Sequence, residues 1–370
     1  MTHFHSPEKI RTNILEPPGM PSTLPNHRLR KARNLLLWSV AGFFLLQLLT
    51  GLVLEQFCIG ICDPEYSHHE KRLRQRIAEH PDRPVLVMFG SSRVANGFEA
   101  KLTQELLGQE WTVFNFGLTT CGPLLQQVCY DRLRSAGIRP TAVFFEVMPP
   151  FFHERPQPLD QSMLDGARLT LGEIGSLPAD EDALAGPVRK YAFARFLPCS
   201  RYAGSVQEQL GFRWVKPNAV NEQLSMDEQG WIPVPAEKGV RRPDIISLAH
   251  RQYDACYHDF QLAKGQVQRM DDLIRTAQRD GVKVGLVVMP EGSEFRQLYS
   301  PGMTKRMDKL LNRWQAEFGV ALIDGRDWLG DEWFYDMHHL TQTGATTFSN
   351  LFQQTVRIKY PDLLRSYRAP

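Results

Sequence analysis

Two short stretches hold residues whose types and spacing could do acyl-transfer chemistry. In Pro84-Val-Leu-Val-Met-Phe-Gly-Ser-Ser-Arg93, an apolar run from Val85 to Phe89 stops at Gly90, and two serines follow at once. A small-residue turn at the C-terminal end of a parallel strand is where open α/β sheets place catalytic groups. Ser91 or Ser92 is therefore a candidate nucleophile. The same turn also reads as an ordinary strand-to-helix junction in which a serine caps the helix. Near the other end of the chain, Asp336 and His339 stand three residues apart, beside Leu340-Thr341 and upstream of Gly344. That spacing puts both side chains on one face of a turn. A carboxylate there can hold the imidazole in one tautomer and stabilise its protonated form. The imidazole can then take a proton from a serine hydroxyl. Either stretch alone is a weak signal, and a surface histidine is the common reading of Asp-x-x-His. Together they supply a nucleophile, a base and a group that orients the base.

The elements that must position these residues follow an α/β rhythm. After the first strand, Glu99 to Leu107 reads as a helix with Leu102, Leu106 and Leu107 on one side. Trp111 to Phe116 is a second buried strand, ending in Asn115-Phe-Gly117, and Pro123 opens a helix in the N1 position that suits it. Thr141 to Val147 is a third strand. The rhythm then stops over residues 151–245, rich in Pro, Gly, Arg and aromatic residues. So long a stretch predicts an insertion that forms a lid or subdomain. Asp227-Glu-Gln-Gly-Trp231 within it reads as a turn. Its Arg189, Lys190, Arg195 and Arg201 either meet an anionic polymer or form a solvated face.

From about Ile246 the rhythm resumes. Phe260, Ala263, Val267, Met270, Ile274 and Ala277 form one stripe of a long helix. Lys283 to Met289 and Val320 to Ile323 are the fourth and fifth strands, with a helix carrying Met303, Met307, Leu310, Leu311 and Trp314 between them. A closing helix runs from Gly344 to Val356. Strands alternating with helices at this spacing predict βαβ units, a mainly parallel sheet and a three-layer α/β/α sandwich of the flavodoxin-like kind.

The N-terminal region has a different character. Pro17, Pro18, Pro21 and Pro25 break any helix, so residues 1–33 read as a disordered tail with Arg28, Arg30, Lys31 and Arg33 near its end. Leu35 to Leu54 is apolar except for Ser39, Gln47 and Thr50, about the length needed to cross a bilayer as a helix. Basic residues precede this span and Glu55, Asp63 and Glu65 follow it. The positive-inside rule then puts the N-terminus in the cytoplasm and the remainder across the membrane. The span is too long for a cleaved signal peptide, so residues 34–57 read as a single-pass signal anchor. Residues 64–82 suit a charged linker helix, and residues 64–370 form the globular domain. The net charge of +2 gives no electrostatic footprint for nucleic acid. Cys58, Cys62, Cys121, Cys129, Cys199 and Cys256 make no CxxC pair, and no matching histidine cluster supports a zinc site. Disulfides and buried free thiols both stay open for them.

With the serine turn and the Asp-x-x-His in view, the chain resembles the SGNH/GDSL hydrolase family over residues 84–150 and 281–357. Gly90-Ser91-Ser92-Arg93 matches the family's Gly-Asp-Ser-Leu block, which makes Ser92 the implied nucleophile. Asn115-Phe-Gly117 resembles the second block, whose glycine amide serves the oxyanion hole beside that of Ser92. Asp336-Met-His-His339 matches the last block, giving Asp336 and His339 as the other triad members and leaving His338 outside. The third block departs from the family pattern. Where the family has Gly-x-Asn-Asp, this strand runs Phe-Phe-Glu146-Val-Met-Pro149-Pro150, with no Asn to donate to the oxyanion. A missing donor of that kind costs about 3–4 kcal/mol of transition-state stabilisation. Either the Ser92 and Gly117 amides suffice, or Arg93 or a residue of the insertion substitutes for it.

The resemblance implies a serine esterase or O-acyltransferase that needs no metal or organic cofactor. Its narrower form points to the membrane-anchored branch that includes the D-alanyl transfer and alginate O-acetylation proteins. That branch implies a bacterial inner-membrane protein with a periplasmic or extracytoplasmic domain. It also implies an acylated carbohydrate substrate and a membrane-bound O-acyltransferase as partner. The missing Asn leaves a second expectation, a weakly active or inactive scaffold or polymer-binding subunit. Glu291, Glu294 and Arg296 follow the fourth strand at the site's edge. Together with Arg93 they line a substrate groove, or they form a polar loop. Glu146 is expected to be structural, paired with Arg93.

Overall fold

The structure is a computed structural model. It describes residues 26–154, 165–175, 181–209, 226–234, 246–247, 253 and 260–365. In chain order the helices used below are α1 (Asn26–Phe57), α2 (Pro64–Glu79), α3 (Ser92–Gly97), α4 (Ala100–Leu106), α5 (Pro123–Ser135), α6 (Glu181–Phe196), α7 (Lys264–Arg279), α8 (Pro301–Phe318) and α9 (Gln342–Lys359). The strands are β1 (Val85–Gly90), β2 (Thr112–Gly117), β3 (Ala142–Glu146), β4 (Lys283–Val288) and β5 (Ala321–Asp324).

All five strands run parallel in the order β2-β1-β3-β4-β5. β1, β2 and β3 are buried along their whole length, as expected of parallel strands covered on both faces. Side chains alternate between two cores. Val87 and Phe89 of β1 pack with Phe116, Phe145 and residues of α2, α5, α7 and α8. Leu86 and Met88 point the other way, towards Phe144 and residues of α3, α4 and α9. The chain is thus a three-layer α/β/α sandwich. Because β1 has β2 on one side and β3 on the other, the chain reverses its direction of travel across the sheet at β1. The crevice at such a reversal lies beyond the carboxyl ends of the strands, where Gly90, Gly117 and Glu146 end β1, β2 and β3.

Four sequence expectations change. The helix at the N-terminus starts at Asn26, so Arg28, Arg30, Lys31 and Arg33 lie in its first turns rather than in a tail. Residues 1–25 lie outside the described residues. The stretch Arg28–Phe57 is long and apolar enough to cross a membrane. Second, α2 is a core helix and not a linker. Tyr66, His69 and Leu73 form a stripe at helical spacing that is almost wholly buried, hidden in the sequence among charged neighbours. The N-cap of α2, Asp63, is fully buried and pairs with Arg132 and Arg168 at 2.8 Å each.

Third, the insertion does not begin at 151. Pro149–Phe152 is a buried turn of the main core. Among the described residues that follow, α6 and the short helix Pro198–Arg201 lie against α1. The Asp227–Trp231 turn instead covers the sheet edge, where the Asn115 amide donates to the Gln229 carbonyl at 2.8 Å. Covering an edge in this way hides its unpaired backbone groups. Fourth, Arg195 is not part of a solvated face, although Arg201 is exposed. Arg195 is buried against Glu55 at 2.6 Å, and Arg201 pairs with Asp165. The five described cysteines are free thiols, and Cys256 lies outside the described residues.

Candidate active site

β1 ends at Gly90 because nothing larger fits there. A Cβ at that position would lie 2.4 Å from Val94 Cγ2 and 2.7 Å from Glu146 Cβ. The chain then turns directly into α3. Ser91 is its N-cap, with the side chain accepting from the Arg93 amide at 3.2 Å. The capping role read from the sequence therefore belongs to Ser91, and Ser92 becomes the first helical residue. Ser92 is half-buried, and its Oγ lies 2.8 Å from Nε2 of His339.

His339 sits in the tight loop that precedes α9. Phe334 bridges Leu340, and the Tyr335 amide donates to the His339 carbonyl at 2.9 Å. Thr341 closes the loop, its hydroxyl donating to the Trp333 carbonyl at 3.1 Å and accepting from the Gly344 amide as N-cap of α9. Inside this loop Asp336 Oδ1 accepts the amides of His338 at 2.8 Å and His339 at 2.7 Å. Its Oδ2 lies 2.7 Å from His339 Nδ1. Burial would raise the Asp336 carboxyl, but the two histidines and these hydrogen bonds outweigh it and hold the group well below the usual carboxylate range. An ionised carboxylate only accepts, so Nδ1 of His339 carries the proton and Nε2 presents its lone pair to Ser92. Ser92, His339 and Asp336 are thus at contact distance in the order an activated serine requires.

His338 faces elsewhere. Its ring stacks on Phe295 at 4.9 Å and approaches the Tyr253 hydroxyl at 3.4 Å. Burial pushes its pKa down to about 3, so it stays neutral. Donor atoms of Asp336, His338 and His339 lie within 4.8 Å of one another, a set that could hold a metal ion by donor type. Here Asp336 Oδ2 and His339 Nδ1 are bonded to each other.

The residues expected to line a groove have another place. Arg93 is 1% exposed. Its guanidinium lies 3.1 Å from Glu291 and 3.5 Å from Glu146, and donates to the Met289 carbonyl at 2.7 Å. Glu291 is fully buried, receives the Tyr299 hydroxyl at 2.6 Å, and has its carboxyl pushed up by burial against the pull of Arg93. Arg296 is spent on the carbonyls of Glu291 and Arg326. These side chains tie the ends of β1, β3 and β4 together instead of facing a substrate. Glu146 completes the tie, accepting the Ser91 amide at 2.6 Å.

Gly117 also differs from expectation. Its amide already donates to Asn115 Oδ1 at 2.9 Å, so it is not open to an oxyanion. A Cβ on Gly117 would lie 2.2 Å from the Ala95 nitrogen, which shows how closely α3 rides on β2. Asn115 donates to the Val94 carbonyl at 2.8 Å and the Phe98 carbonyl at 2.7 Å. It thereby fastens the helix that carries Ser92. An Asn inside an otherwise apolar strand was the available signal for this role, since a buried amide needs several partners.

No protein-family model matches the chain, and no curated protein matches it by sequence. Among solved structures the chain is similar to a provisionally assigned acylhydrolase from Bacteroides fragilis. Identity is 11% and the TM-score is 0.35, over 78% of this chain and 96% of that chain. At that score the reading of the site rests on its own geometry.

Proposed function

We propose that the protein is an SGNH-type serine acyl-ester enzyme, an esterase or O-acyltransferase, anchored in a membrane by α1. The observation that carries this reading is the 2.8 Å contact between Ser92 Oγ and His339 Nε2, backed by Asp336. Ser92 attacks an acyl carbonyl while His339 takes its proton, and Asp336 stabilises the resulting imidazolium. The alkoxide of the tetrahedral intermediate meets the Ser92 amide, which among the described residues donates to no other group. The imidazolium then protonates the departing oxygen and leaves an acyl-Ser92 ester. A second pass, with His339 as base, moves the acyl group to water or to a hydroxyl. Every proton in this cycle is carried by His339.

The acylated partner fits a carbohydrate of the cell envelope. On this reading the N-terminus is cytoplasmic and residues 64–370 extracytoplasmic, at a bacterial inner membrane beside a membrane-bound O-acyltransferase. The charge asymmetry around α1 and the motif resemblance support this placement.

One observation favours a second reading, a non-catalytic scaffold or polymer-binding subunit. The Gly117 amide is occupied, and the stretch that follows β3 has no Asn to donate to the oxyanion. Loss of one such donor costs about 10²–10³ in rate. Fluorophosphonate labelling of the full chain, alongside Ser92→Ala, separates the two readings. Labelling that disappears in Ser92→Ala is the expected result. No labelling of a folded protein makes the scaffold the better reading.

A further inference from the structure

The end of α1 is not free. Over Gln47 to Glu55, two turns of helix and about 12 Å of rise, it is clasped by α6 and its neighbours. Gln47 accepts the Cys199 amide at 3.3 Å. Gly51 lets the backbones touch, since a Cβ there would lie 2.9 Å from the Arg195 carbonyl oxygen. Glu55 takes Arg195 at 2.6 Å, the Tyr191 hydroxyl at 3.0 Å and the Leu171 amide at 2.5 Å.

This clasp conflicts with a picture in which α1 spans the bilayer and the rest of the chain stands in water. A helix crossing about 30 Å of hydrocarbon needs about 20 residues, and the apolar stretch Leu35 to Leu54 has just that length. Residues 47–54 must then lie in about the last two-fifths of the hydrocarbon. Whatever packs on them lies at the same depth. The outward side of α6 has the composition such a position requires. Phe193 is 49% exposed, Phe196 54% and Val188 39%, with Arg189 and Lys190 also exposed beside them. Aromatic and aliphatic side chains interleaved with basic ones suit the boundary between acyl chains and headgroups.

We infer that α6 is a second membrane element, one that lies in the outer interface with Phe193 and Phe196 among the lipids. The inference rests on the anchor reading of α1. It has a consequence for the site. Arg195 also donates to the Leu169 carbonyl at 2.9 Å, and the adjacent Arg168 pairs with Asp63, which pairs in turn with Arg132 of α5. This chain of buried charge links the membrane segment to the α/β domain. The domain, and Ser92 with it, is therefore held at a fixed attitude to the lipid surface rather than swinging on a linker.

Photocrosslinking of the full chain in lipid nanodiscs tests this. p-Benzoylphenylalanine is placed singly at Phe193, at Phe196, at Leu45 on the exposed side of α1, or at Ile358, exposed on α9. Lipid adducts are read by mass spectrometry. The inference expects adducts at 193 and 196 within about threefold of those at 45 and about tenfold above those at 358, since an interfacial side chain contacts acyl chains continuously. Adducts at 45 with none at 193 and 196 overturn it and leave the anchor standing. Adducts from 193 to a second copy of the protein overturn it too. No adduct at 45 removes the anchor reading itself, and the inference with it.

Discussion

The amide of Gly117 donates to Oδ1 of Asn115, two residues back along the same strand, at 2.9 Å. The bond gives Asn115 a second duty besides holding the carbonyls of α3, and it takes from Gly117 the role its motif implies. Asn115→Leu should therefore act on both sides of the site. It strips the partner from the Gly117 amide and from the Phe98 carbonyl, each buried group left unpaired costing about 1–3 kcal/mol, while the Val94 carbonyl keeps the Phe98 amide. A clear drop in the urea midpoint, with slower fluorophosphonate labelling of the protein that remains folded, is the expected outcome. Unchanged stability would show that Asn115 is not the fastening between β2 and α3.

Asp336→Asn keeps an oxygen for the amides of His338 and His339 but sets an NH₂ group against Nδ1 of His339. The imidazole then flips its proton to Nε2 and can no longer accept from Ser92. A loss of about 10⁴ in turnover follows from such a wrong tautomer. Labelling rates, measured beside a thermal melt that should move little, check this.

Arg93 is a structural tie, and the stability of its variants will say so. Arg93→Met leaves Glu146 and Glu291 buried without their cation, a change that costs about 3–5 kcal/mol. Adding Glu291→Gln should recover part of the loss. Chemical denaturation of the single and double variants measures both. A stable Arg93→Met protein with only a raised KM would instead return Arg93 to a substrate groove.

Two buried histidines make the fold sensitive to mild acid. Burial pushes His69 down to about 4 and His338 down to about 3, whereas in the unfolded chain both titrate near ~6.5. Between those values the unfolded chain binds more protons, so stability rises with pH there and falls as the pH drops from about 6.5 towards 4. Asp336 acts in a lower window, because its depressed carboxyl stabilises the fold above the unfolded value of ~3.9 and loses that effect only in stronger acid. The urea midpoint should thus fall between pH 7 and pH 5, and fall less in the His69→Gln/His338→Gln double variant. Equal slopes would assign the acid response to other groups.

Much of the architecture was legible in local pattern. Apolar runs such as Val85 to Phe89 and Ala142 to Phe145 have strand length and helix-forming neighbours, so the alternation of elements follows from run length and period. The same holds for the apolar span from Leu35 to Leu54. α2 was misread because its buried stripe of Tyr66, His69 and Leu73 includes a histidine and is flanked by charges. The insertion was unreadable because arginine–carboxylate pairs, with no period, hold much of its described part.

What the sequence by itself determined is what neighbours along the chain decide: the α/β rhythm, the sharp turn after Gly90, and the loop in which Asp336 and His339 share a face. The tertiary structure alone decided the rest. It brought Ser92 to His339 across 247 residues, gave the Gly117 amide to Asn115, sank Arg93 between two carboxylates, and laid α6 against α1. Each of these depends on which groups are desolvated together. Burial is a property of neighbours in space, and sequence separation does not encode it.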